Sequence, residues 1–192
     1  MKSLVTGGCG FIGSHVVARL VDDFGHEVIV IDNLSAECNE EFFKNDSDLV
    51  KYYEEDICDY SRIEQLFEGL DYVFHLAAES RIGPTLEDPQ KACMVNFLGT
   101  CNVLQAARKH AVRRTVYSST SACYGLKNTP PLVETMQNDN LNPYSVSKLA
   151  AEDLCIMYNN LFETPTNCLR YFNVFGEWMP ETGQYAPVVA IF

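Results

Sequence analysis

Two residues, Tyr144 and Lys148, have the types and the spacing that proton-transfer chemistry needs. Residues four apart on a helix lie on one face, so a phenol stands beside an ammonium group. A free tyrosine has a pKa of about 10, and nearby positive charge lowers it, which favours a base near neutral pH. Such a base can take a proton from a hydroxyl group. The same spacing is common in solvated surface pairs, so the position of this pair in the fold decides between the two interpretations.

The residues before this pair place it at a ligand-binding edge. An apolar run over Thr115–Ser118 indicates a strand, and it leads into the hydroxyl cluster Ser118–Ser121. Ligands of doubly wound sheets bind at the carboxyl ends of the strands, where a hydroxyl can bond to a reacting oxygen. The alternative is a polar loop after a buried strand, and the Tyr/Lys pair that follows favours the functional interpretation.

Two long helices are predicted. The helix that carries the pair runs from Pro143 to about Leu161, because apolar residues recur there at spacings of three and four. Asn142 can cap its first turn, and proline suits the first helical position. The other runs from about Gln90 to His110, and Asn96 and Gly99 interrupt its apolar face.

Gly7, Gly10 and Gly13 occur where a strand over Ser3–Thr6 runs through a glycine turn into a helix that begins near Phe11. Glycine suits a turn that needs positive φ, backbone that must approach a pyrophosphate, and a helix that packs closely on a sheet. The N-terminus of that helix then faces the phosphates. The arrangement predicts a dinucleotide site, although a glycine triplet alone also occurs in ordinary loops.

An acidic residue, Asp32, supports the dinucleotide site. It ends the strand Glu27–Ile31, about 20 residues beyond the glycine turn, where a carboxylate accepts hydrogen bonds from the adenosine ribose. Its charge would repel a 2′-phosphate and no arginine follows, so NAD is favoured over NADP. The positive charge of oxidised nicotinamide would act on Tyr144 together with Lys148. The alternative is an Asp that only caps a strand end.

The remaining apolar runs predict a doubly wound parallel sheet, a Rossmann-type α/β fold with helices on both faces. The runs are continuously apolar, as expected for parallel strands that are covered on both sides. Strands are predicted at Ser3–Thr6, Val28–Ile31, Tyr72–Leu76, Thr115–Ser118 and Asn167–Phe172, with a weaker candidate at Val50–Glu54.

Composition limits the partners. The chain has 192 residues, 47% apolar content and a formal charge of −12, which predict one domain that repels nucleic acid and anionic membranes. It has neither an apolar run of about 18 residues nor a signal peptide, which predicts a cytoplasmic protein. Eight dispersed cysteines without a C-x-x-C pair predict reduced, mostly buried thiols and no metal site.

Eight segments span the chain and carry a specific resemblance: TGGCGFIGSH, IDNLS, EEDICD, FHLAAESR, VNFLGTCNVL, VYSSTSACYG, NPYSVSKLAAE and LRYFNVFGE. In these segments and their order, the chain resembles the extended short-chain dehydrogenase/reductase family of NAD-dependent epimerases and dehydratases. It is most similar to the UDP-glucose 4-epimerases and other UDP-sugar epimerases of carbohydrate metabolism.

The resemblance implies roles by position. Tyr144, Lys148 and Thr120 would be the catalytic residues, and Asn96 would support the site from its helix. Thr120, Tyr144 and Asn173 would meet the nucleotide-sugar. The NAD contacts would come from Gly7, Gly10, Phe11, Ile12 and Gly13 at the pyrophosphate, Asp32 and Asn33 at the ribose, Asp56 and Ile57 at the adenine, Leu76, Ala77 and Ala78 along the cofactor, Tyr144 and Lys148, and Phe172 near the nicotinamide.

The residues after Thr120 bear on the reaction. The family's dehydratases follow this position with Asp-Glu, and its decarboxylases carry Glu at the place of Ala122, whereas this chain has Ser121-Ala122. The resemblance therefore implies inversion at C4 of a UDP-hexose. An NAD-dependent dehydratase or reductase, and a non-catalytic NAD-binding protein, remain as alternatives.

The family's chains continue well beyond the length of this one. We expect an NAD-binding domain over residues 1–173 and the beginning of a substrate-binding lobe over 174–192, with most of that lobe absent. The identity of the sugar and the activity of the short chain are therefore left open. The resemblance also implies a homodimer that pairs through the two long helices.

Overall fold

The structure is a computed structural model that describes residues 1–36, 45–177 and 179. Its centre is one six-stranded sheet in the order β3-β2-β1-β4-β5-β6, with every neighbouring pair parallel. This is the strand order of dinucleotide-binding folds, so the predicted doubly wound sheet is confirmed, including its weak third strand. The strands are β1 Lys2–Thr6, β2 Glu27–Asp32, β3 Val50–Glu54, β4 Tyr72–His75, β5 Arg114–Thr120 and β6 Thr166–Tyr171.

Six α-helices accompany the sheet: α1 Phe11–Asp22, α2 Tyr60–Ile63, α3 Ile82–Glu87, α4 Pro89–Cys93, α5 Thr100–Lys109 and α6 Pro143–Phe162. A π-helical segment, Met94–Gly99, joins α4 to α5, so the long helix predicted over 90–110 has a π-helical middle where its apolar face is interrupted. Short 3₁₀ turns cover Glu64–Phe67 and Ser121–Tyr124.

Helix α6 begins where the sequence predicts. The Asn142 side chain accepts the N–H of Ser145, and the Ser145 hydroxyl reaches back to the backbone N–H of Asn142, which forms a capping box. Pro143 occupies the first helical position. The helix ends at Glu163, which has a left-handed φ of +51°. Its start is therefore fixed one residue before Tyr144.

The core lies on both faces of the sheet because successive residues of a strand point to opposite sides. Leu4 of β1 packs on one face with Val103 of α5, and Val5 packs on the other with Val17 of α1. Two-sided burial explains why the strand sequences are continuously apolar. Within the described residues, no helix is both long and apolar enough to cross a membrane.

Candidate functional site

The turn between β1 and α1 brings backbone into very close contact. Gly7 has a φ of +68°, and a Cβ there would lie 2.7 Å from the backbone nitrogen of Ala77. A Cβ on Gly13 would lie 2.0 Å from the carbonyl oxygen of Gly7. Gly10 is the N-cap of α1 and offers no side chain to the first-turn N–H groups, which leaves them for an anion. The turn therefore fits a diphosphate.

Asp32 and Asp56 hold neighbouring loops at the ends of β2 and β3. The carboxylate of Asp32 accepts the N–H groups of Cys9 and Leu34, both at 2.9 Å. Asp56 accepts the side-chain amide of Asn33 at 3.0 Å. Burial alone would raise the pKa of Asp56, but hydrogen bonds, beginning with the Cys58 N–H, lower it. Asp32 is thus a loop cap, and each of its oxygens keeps a second lone pair for a ribose hydroxyl.

The side chain of Ile57 lies in the core, unlike that of its neighbour Asp56. Its side chain is buried in the core beside Gly99, where an added Cβ would lie 2.6 Å from the Ile57 Cδ1 atom. The side chain therefore faces the core, and its backbone is the part available to an adenine.

The structure brings Thr120 and Tyr144 together. Thr120 ends β5, and its side chain lies near enough to that of Tyr144, on the first turn of α6, to oppose a rise in the pKa of the phenol. The Thr120 hydroxyl oxygen accepts the N–H of Ala122 at 3.1 Å. Lys148 is only 3% exposed, and its Nζ lies 4.3 Å from the centre of the Tyr117 ring. The pair is therefore not a solvated surface pair.

Burial dominates the electrostatics of the pair. It raises the pKa of Tyr144, against the effect of the Thr120 side chain. This direction is opposite to the one expected from Lys148 and an oxidised nicotinamide together. Burial also lowers the pKa of Lys148 to about 7. In the chain by itself, the Tyr144 phenol is protonated at neutral pH, whereas the Lys148 amine has a pKa close to neutral pH.

Asn96 supports this site from the π-helical segment, where it is fully buried. Its amide oxygen accepts the N–H of Glu79 at 2.8 Å, and its amide nitrogen donates to the Glu79 carbonyl and, at 3.0 Å, to the Ser147 hydroxyl. Asn96 therefore joins the loop after β4 to the turn of α6 that carries Lys148.

A buried ion pair beside the site was not predicted from the sequence. Arg170 of β6 donates to the Glu152 carboxylate, with the shortest contact at 2.7 Å, and Glu152 also accepts the Ser119 hydroxyl at 2.5 Å. Arg170 donates further to the Glu134 carbonyl at 3.1 Å. These contacts tie α6, β5, β6 and the loop over 125–142 together. The sequence feature that could have indicated this ion pair is Glu152, which comes one helical turn after Lys148 on the inward face of α6.

The cofactor wall and the outer edge of the site differ in exposure. Leu76, Ala77 and Ala78 are half-buried, whereas Phe172 and Asn173 are exposed. The ring of Phe172 stacks on Tyr124, with centroids 6.2 Å apart. No contact joins Phe172 or Asn173 directly to Tyr144 among the described hydrogen bonds and ring pairs, so their predicted roles stay predictions.

The described cysteines form no disulfide and differ in exposure. Cys9, Cys123 and Cys155 are buried, Cys93 is exposed, and Cys38 lies outside the described residues. The expectation of mostly buried thiols is therefore only partly right. In the part of the chain that the structure describes, no group of three or more His, Cys, Asp or Glu side chains is arranged to hold a metal ion.

A family model, the NAD dependent epimerase/dehydratase family, matches residues 3–191. The chain belongs to this family. A UDP-glucose 4-epimerase of Mycolicibacterium smegmatis is 36% identical, and the match covers 100% of this chain and 62% of that protein. The family resemblance inferred from the eight segments is confirmed, and so is NAD as the cofactor of the family.

Two solved structures are similar to this fold. A UDP-glucose 4-epimerase of Thermotoga maritima, with UDP-glucose, has a TM-score of 0.92 and 34% identity, and the match covers 100% of this chain and 61% of that one. A UDP-glucose 4-epimerase of Thermus thermophilus, in complex with NAD, has a TM-score of 0.89 and 35% identity with the same coverage. The chain spans about three fifths of the length of these epimerase-family relatives.

Proposed function

We propose that this chain is the NAD-binding and catalytic part of a UDP-hexose 4-epimerase that reversibly inverts C4. One observation carries the proposal: Thr120 and Tyr144 lie together at the carboxyl edge of the sheet, with Lys148 buried one turn further along α6. That edge is where doubly wound folds bind their ligands.

The chain's own residues supply proton transfer and orientation. Tyr144 takes the proton from the C4 hydroxyl, and Thr120 holds the same oxygen through its hydroxyl. Lys148 holds the cofactor ribose and places a positive charge near the phenol. Because burial raises the pKa of Tyr144, the phenol becomes a base only when positive charge gathers beside it.

The residues around the glycine turn fit NAD. The first-turn N–H groups of α1 would bind the pyrophosphate, Asp32 and Asn33 the ribose, and the backbone near Asp56 and Ile57 the adenine. NAD held by these residues would supply reversible hydride transfer at the sugar carbon. Leu76, Ala77, Ala78 and Phe172 would complete its path, and Asn173 would contact the nucleotide-sugar.

Inversion is favoured over water elimination by the residues next to Thr120. Ser121 and Ala122 begin the 3₁₀ turn there, and neither side chain is an acid that could protonate a leaving hydroxide. A dehydratase or reductase is the second enzymatic candidate, because the family model includes dehydratases. The product distinguishes them, since an epimerase gives an isomer of its substrate, a dehydratase gives a product that has lost water, and a reductase changes the NADH absorbance.

Residues 174–192 would begin the substrate-binding lobe, and residues 1–173 would form the NAD domain. Residue 178 and residues 180–192, including the apolar stretch Tyr185–Phe192, lie outside the described residues. A non-catalytic NAD-binding protein is the alternative from a different class. It would bind NAD and leave UDP-sugars unchanged.

Pairing of two copies through α6 and the helical run over 89–109 is part of the proposal. Two adjacent helices carry exposed apolar side chains: Met94, Phe97, Leu98, Val146 and Ile156. Light scattering of the purified chain tests the homodimer, with Phe97→Glu expected to give monomers. A chain that is already monomeric would contradict it.

Two measurements test the function. Calorimetry should show NAD binding, and an assay should convert UDP-galactose to UDP-glucose, with Tyr144→Phe retaining NAD binding but losing about 100-fold or more in turnover. Ser121→Ala, which also removes a hydroxyl at the carboxyl edge of the sheet, is the matched control. Full turnover by Tyr144→Phe would refute the assigned base, and NAD binding without any conversion would favour the non-catalytic alternative.

A further inference from the structure

A line of buried polar side chains crosses the interior between the glycine turn and α6. Thr6, His75, Thr100, Asn96 and Ser147 are each 2% exposed or less. They come from β1, β4, the start of α5, the π-helical segment and α6, so the line joins five elements. Polar groups buried this deeply are stable only when they are hydrogen-bonded.

The contacts determine where each proton lies around His75. The Thr100 hydroxyl lies 2.6 Å from the main-chain carbonyl oxygen of Asn96, which can only accept. The single proton of the Thr100 hydroxyl therefore points to that oxygen. The His75 Nε2, 2.9 Å from the same hydroxyl, must therefore be the donor. The Nδ1 atom is then an acceptor, and the Thr6 hydroxyl donates to it at 2.6 Å. The ring is neutral with its proton on Nε2.

Both ends of this arrangement reach the site. At one end, the Ala77 N–H donates to the Thr6 hydroxyl at 3.2 Å, and Ala77 is the residue against which Gly7 packs. At the other end, the Asn96 amide donates to the Ser147 hydroxyl, which donates to the Tyr144 carbonyl at 3.0 Å. Two sets of hydrogen bonds, which meet at the main chain and the side chain of Asn96, therefore connect the cofactor turn with the first turn of α6.

We propose that His75 is a positioning residue: as the neutral Nε2–H tautomer, it holds the glycine turn and the Tyr144/Lys148 turn in the relative position that NAD binding requires. The proposal rests on the proposed function, because it assumes that NAD bridges these two parts of the chain. His75 touches neither ligand nor reacting atoms and acts through Thr6 and Thr100.

The environment keeps His75 in this state. Burial, reinforced by the charge of Lys148, lowers the pKa of His75 to about 3. A protonated ring would also turn Nδ1 into a donor facing Thr6 and leave the Thr6 hydroxyl proton without its acceptor. The ring is therefore neutral at neutral pH.

The experiment compares two threonines, each 1% exposed, that differ in hydrogen bonding. Thr100→Val leaves the His75 Nε2–H without its acceptor. Thr115→Val removes a hydroxyl that has no hydrogen-bond partner among the described residues. With NAD binding measured by calorimetry on folded protein, we expect Thr100→Val to bind about ten-fold more weakly and Thr115→Val within about two-fold of the unmodified chain.

Two further readouts separate positioning from general stability. His75→Gln keeps a donor that can reach Thr100 and should recover part of the NAD affinity that His75→Leu loses. Nitrogen NMR of the unmodified chain should show His75 neutral and protonated on Nε2, a result that does not depend on any variant folding.

Each outcome has a distinct meaning. Equal NAD affinities of Thr100→Val and Thr115→Val, or a ring protonated on Nδ1, would overturn the role of His75 and leave the proposed function intact. Failure of the unmodified chain to bind NAD would overturn the proposed function and the positioning role together.

Discussion

The floor of the site and its outer rim have opposite compositions. The floor is polar and at most 7% exposed, and consists of Thr6, His75, Asn96, Thr100, Thr120, Ser147, Lys148 and Glu152. The rim is apolar and at least 40% exposed, and consists of Leu126, Leu141, Phe172, Val174 and Phe175. Folded proteins usually show the reverse, with apolar groups inside and polar groups outside.

The difference shows which part of the site is held in place by contacts within this chain. Nearly every polar group of the floor has a partner on another element, so the floor is ordered by hydrogen bonds within the chain. The rim side chains are exposed, with the stacking of Phe172 on Tyr124 as their described ring contact, and exposed apolar side chains of this kind can form a contact surface. The floor should therefore be sensitive to single substitutions, and the rim should tolerate them.

Removing one partner of the buried ion pair should have the largest effect. Arg170→Met leaves the Glu152 carboxylate buried without its cation and should lower the free energy of unfolding by about 3–5 kcal/mol. Urea unfolding followed by circular dichroism measures it. Arg19→Met, which breaks the exposed pair with Asp23, is the control and should cost about 0.5 kcal/mol or less. Equal losses in the two variants would contradict the comparison.

Adding a methyl group to the glycine turn should come next. A Cβ on Gly13 meets the Gly7 carbonyl, so Gly13→Ala should cost about 2–3 kcal/mol of stability and weaken NAD binding about 100-fold. Gly176→Ala is the matched change at the rim, where the nearest atom would be at 3.8 Å. Calorimetry and thermal unfolding measure both. A Gly13→Ala chain that binds NAD normally would show that the turn can open.

Replacing Lys148 should stabilise the chain while harming its proposed function. Its pKa in the folded chain, about 7, lies below the ordinary 10.5, so the unfolded chain binds the extra proton between these values. Stability due to this group therefore rises with pH from 7 to 10.5. Lys148→Met should raise the free energy of unfolding at pH 7 by about 1–3 kcal/mol and remove that rise.

The free energies of unfolding of Lys148→Met and of the unmodified chain are measured at several pH values and subtracted. The titration of groups that both chains share cancels in this difference. A constant difference from pH 7 to 10.5 would mean that the lysine is not desolvated as described.

The smallest effect should come from the rim. Phe175→Ser removes an exposed ring and should change the free energy of unfolding by no more than about 0.5 kcal/mol. Chemical unfolding measures it, with Phe67→Ser in the core as the matched and strongly destabilising control. A large loss at Phe175 would show that the rim is packed within the chain.

The sheet and its long helices could be predicted from the sequence because their signals are local. Continuous apolar runs mark buried parallel strands, and Asn142-Pro143 marks the start of α6. The short helices α2 and α3 could not, since four to six residues carry too little periodicity. The strand candidate over 72–76 ran one residue too far, and the one over 115–118 ended two residues too early.

The residues of the proposed site could be proposed from the sequence, but the hydrogen-bond network around them could not. Tyr144, Lys148 and Thr120 follow from spacing and resemblance, whereas the partners of His75 and Glu152 come from sequence positions far apart in the chain. The direction of the Tyr144 pKa depends on burial, which only the folded chain provides. Sequence patterns do not indicate which distant residues will be hydrogen-bonded or which groups will lose contact with water.

The π-helical segment over Met94–Gly99 makes the length of this helical run important to the site. Each of its hydrogen bonds spans five residues instead of four, so it holds one residue more than an α-helical turn would. Deleting a residue here would force the helix to rewind around Asn96, whose amide joins Glu79 to Ser147. A change of length in this segment would therefore disturb the site even where every remaining side chain is kept.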